Sequence, residues 1–247
     1  LDLNHFDQKL LKDIQSESIF IHCAGVTDEE IALNSEQAIR KSTTEFIKLA
    51  HFLKNSEIKK FIYVSSAHVY GDLNRIVDED SKVSPQNLYG GLHYFTELYI
   101  KSLFEDHFII RPNAVFGKPN ETFKRWGLIP FSFPKSLFET GSIILKSHGR
   151  QERNFVSTET LANLIYDSLN KNIIGTRNAV GFNTMSVLEF AIFCKKLFES
   201  DSKKNYIVDS IPNTENYISN FKYLSKFSST NEAKNLLIDH VNSVTLN

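Results

Sequence analysis

Three short apolar runs constrain the fold most: Ser18-Ile19-Phe20-Ile21-His22-Cys23, Phe61-Ile62-Tyr63-Val64-Ser65 and Phe108-Ile109-Ile110-Arg111-Pro112. Stretches with apolar residues at helical spacing separate them. Strands apolar on both faces belong in a covered sheet, and strands joined through a long helix pair in parallel with a right-handed crossover. The expected architecture is α/β, with layered helices. Glu29 to Leu53, with Ile39, Phe46, Ile47 and Ala50 in register, reads as two helices, and Tyr89 to Phe104 as another. Asp7 to Ile14 also reads as helical, and Pro112 stops the third strand.

From Val115 to Gly149 the rhythm breaks at Gly117, Pro119, Gly127, Pro130 and Pro134, which predicts an irregular, aromatic-rich lobe over the sheet's C-terminal edge. Thr158 to Leu169 returns to helix with Thr158 as its N-cap, Asn178 to Gly181 reads as a short strand, and Ser186 caps a helix through Phe198. The tail after Asp201 is polar and weakly patterned. The expected division is a core over 1–115 and a lobe over 116–247, interleaved with core elements that return at 150–181.

Among 247 residues, 28 Lys and Arg against 29 Asp and Glu give a net charge of -1, with both signs interspersed. That balance points to neither a nucleic-acid nor an anionic-membrane partner. No apolar run approaches the ~18 residues of a membrane span, and no signal peptide is visible. Cys23 and Cys194 lack metal-ligand spacing and read as reduced, buried thiols of a cytoplasmic protein. The chain opens on Leu1 in what reads as mid-domain sequence, so an N-terminal piece is expected to be missing or cut away.

The chemistry concentrates in two places. Ser65 and Ser66 stand where an apolar strand runs into a turn, and Tyr89 precedes His93 by four residues on one helical face. A hydroxyl and a phenol together can move a proton on and off a carbinol oxygen, the companion of hydride transfer. A free phenol titrates near ~10, so the base form needs positive charge nearby.

Four segments resemble the extended short-chain dehydrogenase/reductases of the sugar-nucleotide epimerase/dehydratase group. Ile19-Phe20-Ile21-His22-Cys23-Ala24-Gly25 is similar to that family's strand ending in His-x-Ala-Gly, and Val64-Ser65-Ser66-Ala67-His68-Val69-Tyr70-Gly71 to its Ser-Ser-x-x-Val-Tyr-Gly. Ile110-Arg111-Pro112-Asn113-Ala114-Val115-Phe116-Gly117 resembles its Arg-Pro-x-Asn-Val-Tyr-Gly, and Gly149-Arg150-Gln151-Glu152-Arg153-Asn154-Phe155-Val156 its Gly-x-x-x-Arg-Asp-Phe-Val. The resemblance runs from Asp2 to about Phe198. It implies a Rossmann-like doubly wound parallel sheet with a small C-terminal substrate-binding lobe, an NAD or NADP cofactor and a nucleotide-sugar substrate. It also implies homodimer pairing through helices that start near Glu36 and Tyr89, with Phe95 and Leu98 suited to the seam.

Carried over residue by residue, the resemblance makes Tyr89 the base and Ser66 the polarising hydroxyl, with His93 at the family's Lys position. Asp2, Cys23, Ala24, Gly25, Asn34, Ser65 and Pro112 fall at cofactor positions, and Ala67, His68, Asn113 and Arg153 at substrate positions, with Arg153 suited to a diphosphate. Three departures stand out. The Gly-x-x-Gly-x-x-Gly loop, expected to lie upstream of Leu1, has no counterpart here; His93 replaces Lys; and Ala114 stands where Asn is usual. Ala67-His68 also replaces the Asp-Glu pair of the family's 4,6-dehydratases, which disfavours water elimination. Two functions therefore remain open: an NAD(P)-dependent epimerase or reductase, or a degenerate member that binds nucleotide, nucleotide-sugar or a protein without turnover.

Overall fold

The computed structural model describes residues 7–201, 204–211, 219–227 and 235–244. The strands are β1 (Ile19–His22), β2 (Lys60–Val64), β3 (Ile76–Val77), β4 (His107–Pro112), β5 (Ala114–Phe116), β6 (Ser142–Ile144), β7 (Glu152–Ser157), β8 (Gly175–Ala179), β9 (Asn183–Ser186), β10 (Ile207–Asp209) and β11 (Lys222–Tyr223). The helices are α1 (Asp28–Leu33), α2 (Ser35–Arg40), α3 (Phe46–Asn55), α4 (Leu88–Leu103), α5 (Ile129–Thr140), α6 (Thr158–Asn170), α7 (Val187–Asp201) and α8 (Leu236–Val244).

The central sheet has the order β1-β2-β4-β8, and every pairing is parallel. Alternation sorts its side chains into two layers. Phe61, Tyr63 and Ile109 meet Phe46, Leu49, Leu53 and Ile100 of α3 and α4. Ile62, Phe108 and Ile110 point the other way, onto Leu161 and Leu164 of α6. Helices thus cover both faces of the two central strands, β2 and β4, whose middles are wholly apolar, whereas the flanking β1 and β8 carry exposed or polar positions. This is the doubly wound parallel architecture expected from the sequence.

Local signals set the boundaries. The stretch 29–53 divides at Asn34, whose side chain caps α2, and α2 passes into α3 through a π turn, Lys41–Glu45. Thr27 and Glu30 form a reciprocal capping box on α1. The cap of α6 is Ser157 rather than the expected Thr158, because the Ser157 side chain accepts from the Thr160 amide. Residues 8–11 form only a 3-10 turn.

Two expectations need correction. The segment 115–149 is not irregular throughout: it holds the 12-residue helix α5 despite two prolines. Pro130 lies in the first turn, where no amide partner is needed. Pro134 leaves the Pro130 carbonyl without its intrahelical donor, and His240 Nε2 takes that carbonyl at 2.9 Å. The described parts of the polar, weakly patterned tail contribute to the core. Leu237 and Val241 of α8 are buried beside Phe116, Phe155 and Phe190 in a second core, and the Tyr223 hydroxyl donates to the Arg111 carbonyl at 2.6 Å. Cys23 is exposed rather than buried, whereas Cys194 is buried.

Candidate active site

The carboxyl ends of β1, β2 and β4 open into a cavity of about 460 Å³, closed from above by the 125–130 segment and by β7. In a parallel α/β sheet this is where ligands bind. Cys23, Gly25, Ser65, Ser66, His68, Tyr89, His93, Pro112, Asn113 and Arg153 all line it, so residues spread over 130 positions converge on one volume. Ala24 lines a smaller crevice beside it. Ala67 is fully buried in a neighbouring core cluster, and Asn34 is an exposed helix cap; neither lines the cavity. Asp2 lies outside the described residues.

The turn Ala67–Tyr70 follows β2 directly, and Ser66 caps it, accepting from the His68 amide at 3.2 Å. The same hydroxyl lies 3.2 Å from His68 Nδ1, and it shares the cavity with Tyr89. Tyr89 sits in the first turn of α4, where Asn87 caps the helix by accepting from the Gly90 amide at 2.8 Å. The helix approaches the turn closely because Gly90 has no side chain: a Cβ there would stand 2.4 Å from the His68 carbonyl oxygen. His68 meets the Tyr89 ring edge-on at 5.3 Å, and His93 does so at 4.6 Å from the other side.

Electrostatics follow burial. Burial raises the Tyr89 phenol above 10.0 and the Asp28 charge adds to this; the nearby Ser66 hydroxyl and the Arg125 charge oppose it only in part. His93 is lowered to about 4, first by burial and then by His68. At neutral pH the imidazole at the lysine position is therefore uncharged, and Tyr89 keeps its proton. Burial also lowers His68, with Arg153 acting in the same direction.

Two of the expected ligand groups have other partners. The Ser65 hydroxyl donates to Glu97 Oε1 at 2.6 Å, which fastens the end of β2 to α4. Arg153 makes no ion pair with Glu152 among the described residues; it donates to the Glu152 carbonyl at 2.9 Å and to Gln151 Oε1 at 3.2 Å. Its charge lines the cavity beside the Asn113 amide. Asn113 Oδ1 accepts from the Asn154 amide at 3.2 Å, while its Nδ2 has no partner among the described residues.

Sequence inspection missed Tyr63, Asp28 and Arg125. Tyr63 bonds His93 Nδ1 at 2.6 Å, and Asp28 and Arg125 line the cavity. The capping box Thr27-x-x-Glu30 could have placed Asp28 at a helix start on the cleft side. Nothing in the sequence links Tyr63 to His93, which lies 30 residues away.

Unpartnered polar atoms at His93 and Asn113, the guanidinium of Arg153, and the glycine corner at Gly25 fit the nicotinamide half of a dinucleotide next to a phosphorylated ligand. Among the described residues no glycine-rich turn at a helix N-terminus offers a pyrophosphate cradle, and no group of three metal-ligating side chains occurs.

Fold and site together define a parallel-sheet protein of the dinucleotide-binding type, with a Ser/Tyr pair at its carboxyl edge. The sequence model described as "NAD dependent epimerase/dehydratase family" matches residues 2–179. The chain belongs to that family. Curated relatives include the dTDP-D-glucose 4,6-dehydratase of Dictyostelium discoideum, 28% identical over 201 residues (72% of this chain, 45% of that protein). The dTDP-D-glucose 4,6-dehydratase of Mus musculus is 27% identical over 233 residues, covering 87% and 63%. The chain spans about half the length of such relatives. Among solved structures, the UDP-N-acetylglucosamine 4-epimerase of Methanobrevibacter ruminantium M1 superposes with a TM-score of 0.77 at 21% identity, over 100% of this chain and 79% of that one. The UDP-glucuronic acid 4-epimerase of Bacillus cereus in complex with NAD superposes with a TM-score of 0.73 at 20% identity, over 100% and 79%. The last two likenesses concern the fold.

Proposed function

We propose that the chain works as an NAD- or NADP-dependent epimerase or reductase on a nucleotide-linked sugar. The observation that carries this is that Ser66 and Tyr89 face one cavity with Arg153 at the carboxyl ends of three parallel strands. In this reading Ser66 donates to the reacting oxygen and Tyr89 exchanges a proton with it. Arg153 holds the diphosphate by charge, and Asn113 Nδ2 donates to a sugar oxygen. Gly25, His93 and Pro112 would hold the dinucleotide, which would supply hydride transfer to or from the carbinol carbon. Ala67 and His68 follow Ser66, so no carboxylic acid stands beside it in the turn, which favours epimerisation or reduction over water elimination.

The same reading assigns residues 1–115 to the nucleotide and 116–247, with the returning elements 150–181, to the substrate. It places the protein in the cytoplasm as a homodimer paired through the helices that start near Glu36 and Tyr89, α2 and α4, where Leu98 is 49% exposed. Among the described residues no helix is long and apolar enough to cross a membrane. The test is calorimetric titration of the full chain with NADH and NADPH, followed by turnover assays with UDP- and dTDP-hexoses. Dinucleotide binding with loss of turnover in Tyr89→Phe supports the function. No binding of either dinucleotide sinks it.

A further inference from the structure

His93 is 6% exposed, and its two ring nitrogens have unequal fates. Nδ1 lies 2.6 Å from the Tyr63 hydroxyl, whereas Nε2 is buried without a partner among the described residues. The Nε2 side of the ring faces Gly25: a Cβ there would stand 3.0 Å from Cε1 and 3.5 Å from Nε2. Both Gly25 and His93 line the cavity. A buried polar atom with no partner costs free energy, so a native structure keeps one where a ligand or solvent completes it.

Tyr63 comes from the middle of the sheet, stacked against His22 at 5.3 Å, and burial holds its phenol well above 10.0. It therefore keeps its proton. A separation of 2.6 Å belongs to the shorter class of hydrogen bonds, those donated by O–H. The Thr96 hydroxyl, also beside Tyr63, donates to the Leu92 carbonyl at 3.1 Å.

We propose that Tyr63 is a positioning residue: its hydroxyl donates to His93 Nδ1 and fixes the neutral Nε2–H tautomer, which offers one N–H at the Gly25 corner to an uncharged oxygen acceptor such as a ribose hydroxyl. This deepens the dinucleotide reading above and rests on it for the identity of the ligand, but not for the tautomer. It assigns the site a different electrostatic character from a lysine. The group at this position orients a ligand by one directed hydrogen bond and adds no charge to the Tyr89 environment. The titratable groups around the ring are His22 and Tyr63 from the sheet, Lys41 from the π turn, His68, and Tyr89 on its own helix.

The test is ring ¹⁵N spectroscopy on the full chain labelled at its eight histidines, with His93 assigned by the signal missing from His93→Gln. The expected result is an Nε2–H tautomer that does not titrate between about pH 5 and 8, a range in which a free imidazole does. In Tyr63→Phe the His93 nitrogens should move toward a tautomer mixture, while the other rings keep their native dispersion. An Nδ1–H tautomer in the unaltered chain overturns the proposal, and so does a Tyr63→Phe spectrum that leaves His93 unchanged. NADH should then shift the Nε2–H resonance. Gly25→Ala, whose Cβ would press on Cε1 and fill the corner beside Nε2, should weaken NADH binding about tenfold, the effect of one good hydrogen bond. NADH bound with the His93 signals unmoved overturns the ligand half. Absence of NADH binding overturns the dinucleotide reading and leaves the tautomer result standing.

Discussion

Arg111 and Glu97 form a bidentate ion pair beneath the cavity, with Nε–Oε1 at 2.9 Å, Nη2–Oε2 at 2.5 Å and side chains only 3% and 0% exposed. Glu97 Oε1 also accepts from Ser65, so one carboxylate joins the end of β2, the middle of α4 and the end of β4. Burial disfavours the Arg111 charge, but the hydrogen bonds and charge of Glu97 outweigh it and raise the guanidinium further. The Arg111 guanidinium also lies 4.7 Å over the Tyr70 ring.

Removing one partner of such a pair strands the other charge in the interior, at a cost of about 3–5 kcal/mol. Glu97→Ala should therefore lower the urea midpoint sharply. The double variant Glu97→Leu with Arg111→Met should recover much of the loss, because the buried guanidinium leaves with its carboxylate and Lys101, the other cation near Glu97, is 35% exposed. Denaturation of the three proteins checks this, and a double variant no better than the single one would show that the pair does more than neutralise itself.

Gly90 and Gly91 are adjacent in α4 but predict opposite outcomes. A Cβ at Gly90 would collide with the His68 backbone, whereas one at Gly91 meets nothing within 4 Å. Gly91→Ala should stabilise the helix by about 0.5–1 kcal/mol. Gly90→Ala should push α4 off the Ser66–Tyr70 turn, destabilise the protein and separate Tyr89 from Ser66. Melting temperatures of the pair decide it, and equal effects at the two positions would mean that the helix does not pack on the turn as described.

The two-faced apolar strands announced the central sheet, since covering both faces leaves few places for polar residues. Ser66, Tyr89 and His93 were legible because helix and strand periodicity, with the turn after β2, bring them to one edge. Tyr63 was not, since an aromatic in a buried strand looks the same whether or not its hydroxyl has a partner across the fold. The Ser65 partner was hidden for a related reason: Ser65 lines the cavity, but nothing in its neighbours shows that its hydroxyl donates to Glu97, 32 residues on. Helix α5 stayed hidden because the cost of Pro134 is offset by His240, 110 residues from the carbonyl it satisfies.

Stability should fall in mild acid. His22 is lowered from 6.5 to about 3 by burial, by His93 and by Lys41, and His93 is lowered to about 4. Below pH 6.5 the unfolded chain binds a proton at each ring and the native protein does not, so protonation favours unfolding. Each ring should cost about 1.4 kcal/mol per pH unit as pH falls from 6.5, until the native pKa is reached. His68 and His240, also lowered by burial, act in the same direction. Urea midpoints at neutral and mildly acid pH check the slope, and His22→Phe should reduce it. A flat profile would mean that these rings are protonated in the native state.

The acid limb of catalysis should report the ionisation of Tyr89. Tyr89 is held above 10.0 by burial and by Asp28, with no cation at the position four residues on. If Tyr89 is the base, kcat/KM for carbinol oxidation should climb with pH throughout the neutral and alkaline range, because the phenolate fraction is still rising. His93→Lys would place a cation one turn away. A cation favours the phenolate, so it should lower the Tyr89 pKa and move the acid limb to lower pH by about one unit or more. Tyr89→Phe should lose about 10²–10⁴ in kcat and keep its NADH affinity, as expected when a proton-transfer group is deleted from an intact site. The pH–rate profiles of the three proteins separate the possibilities. A limb displaced in His93→Lys and abolished in Tyr89→Phe ties the ionisation to Tyr89, whereas a limb that persists in Tyr89→Phe assigns it to another group and removes Tyr89 from the chemistry.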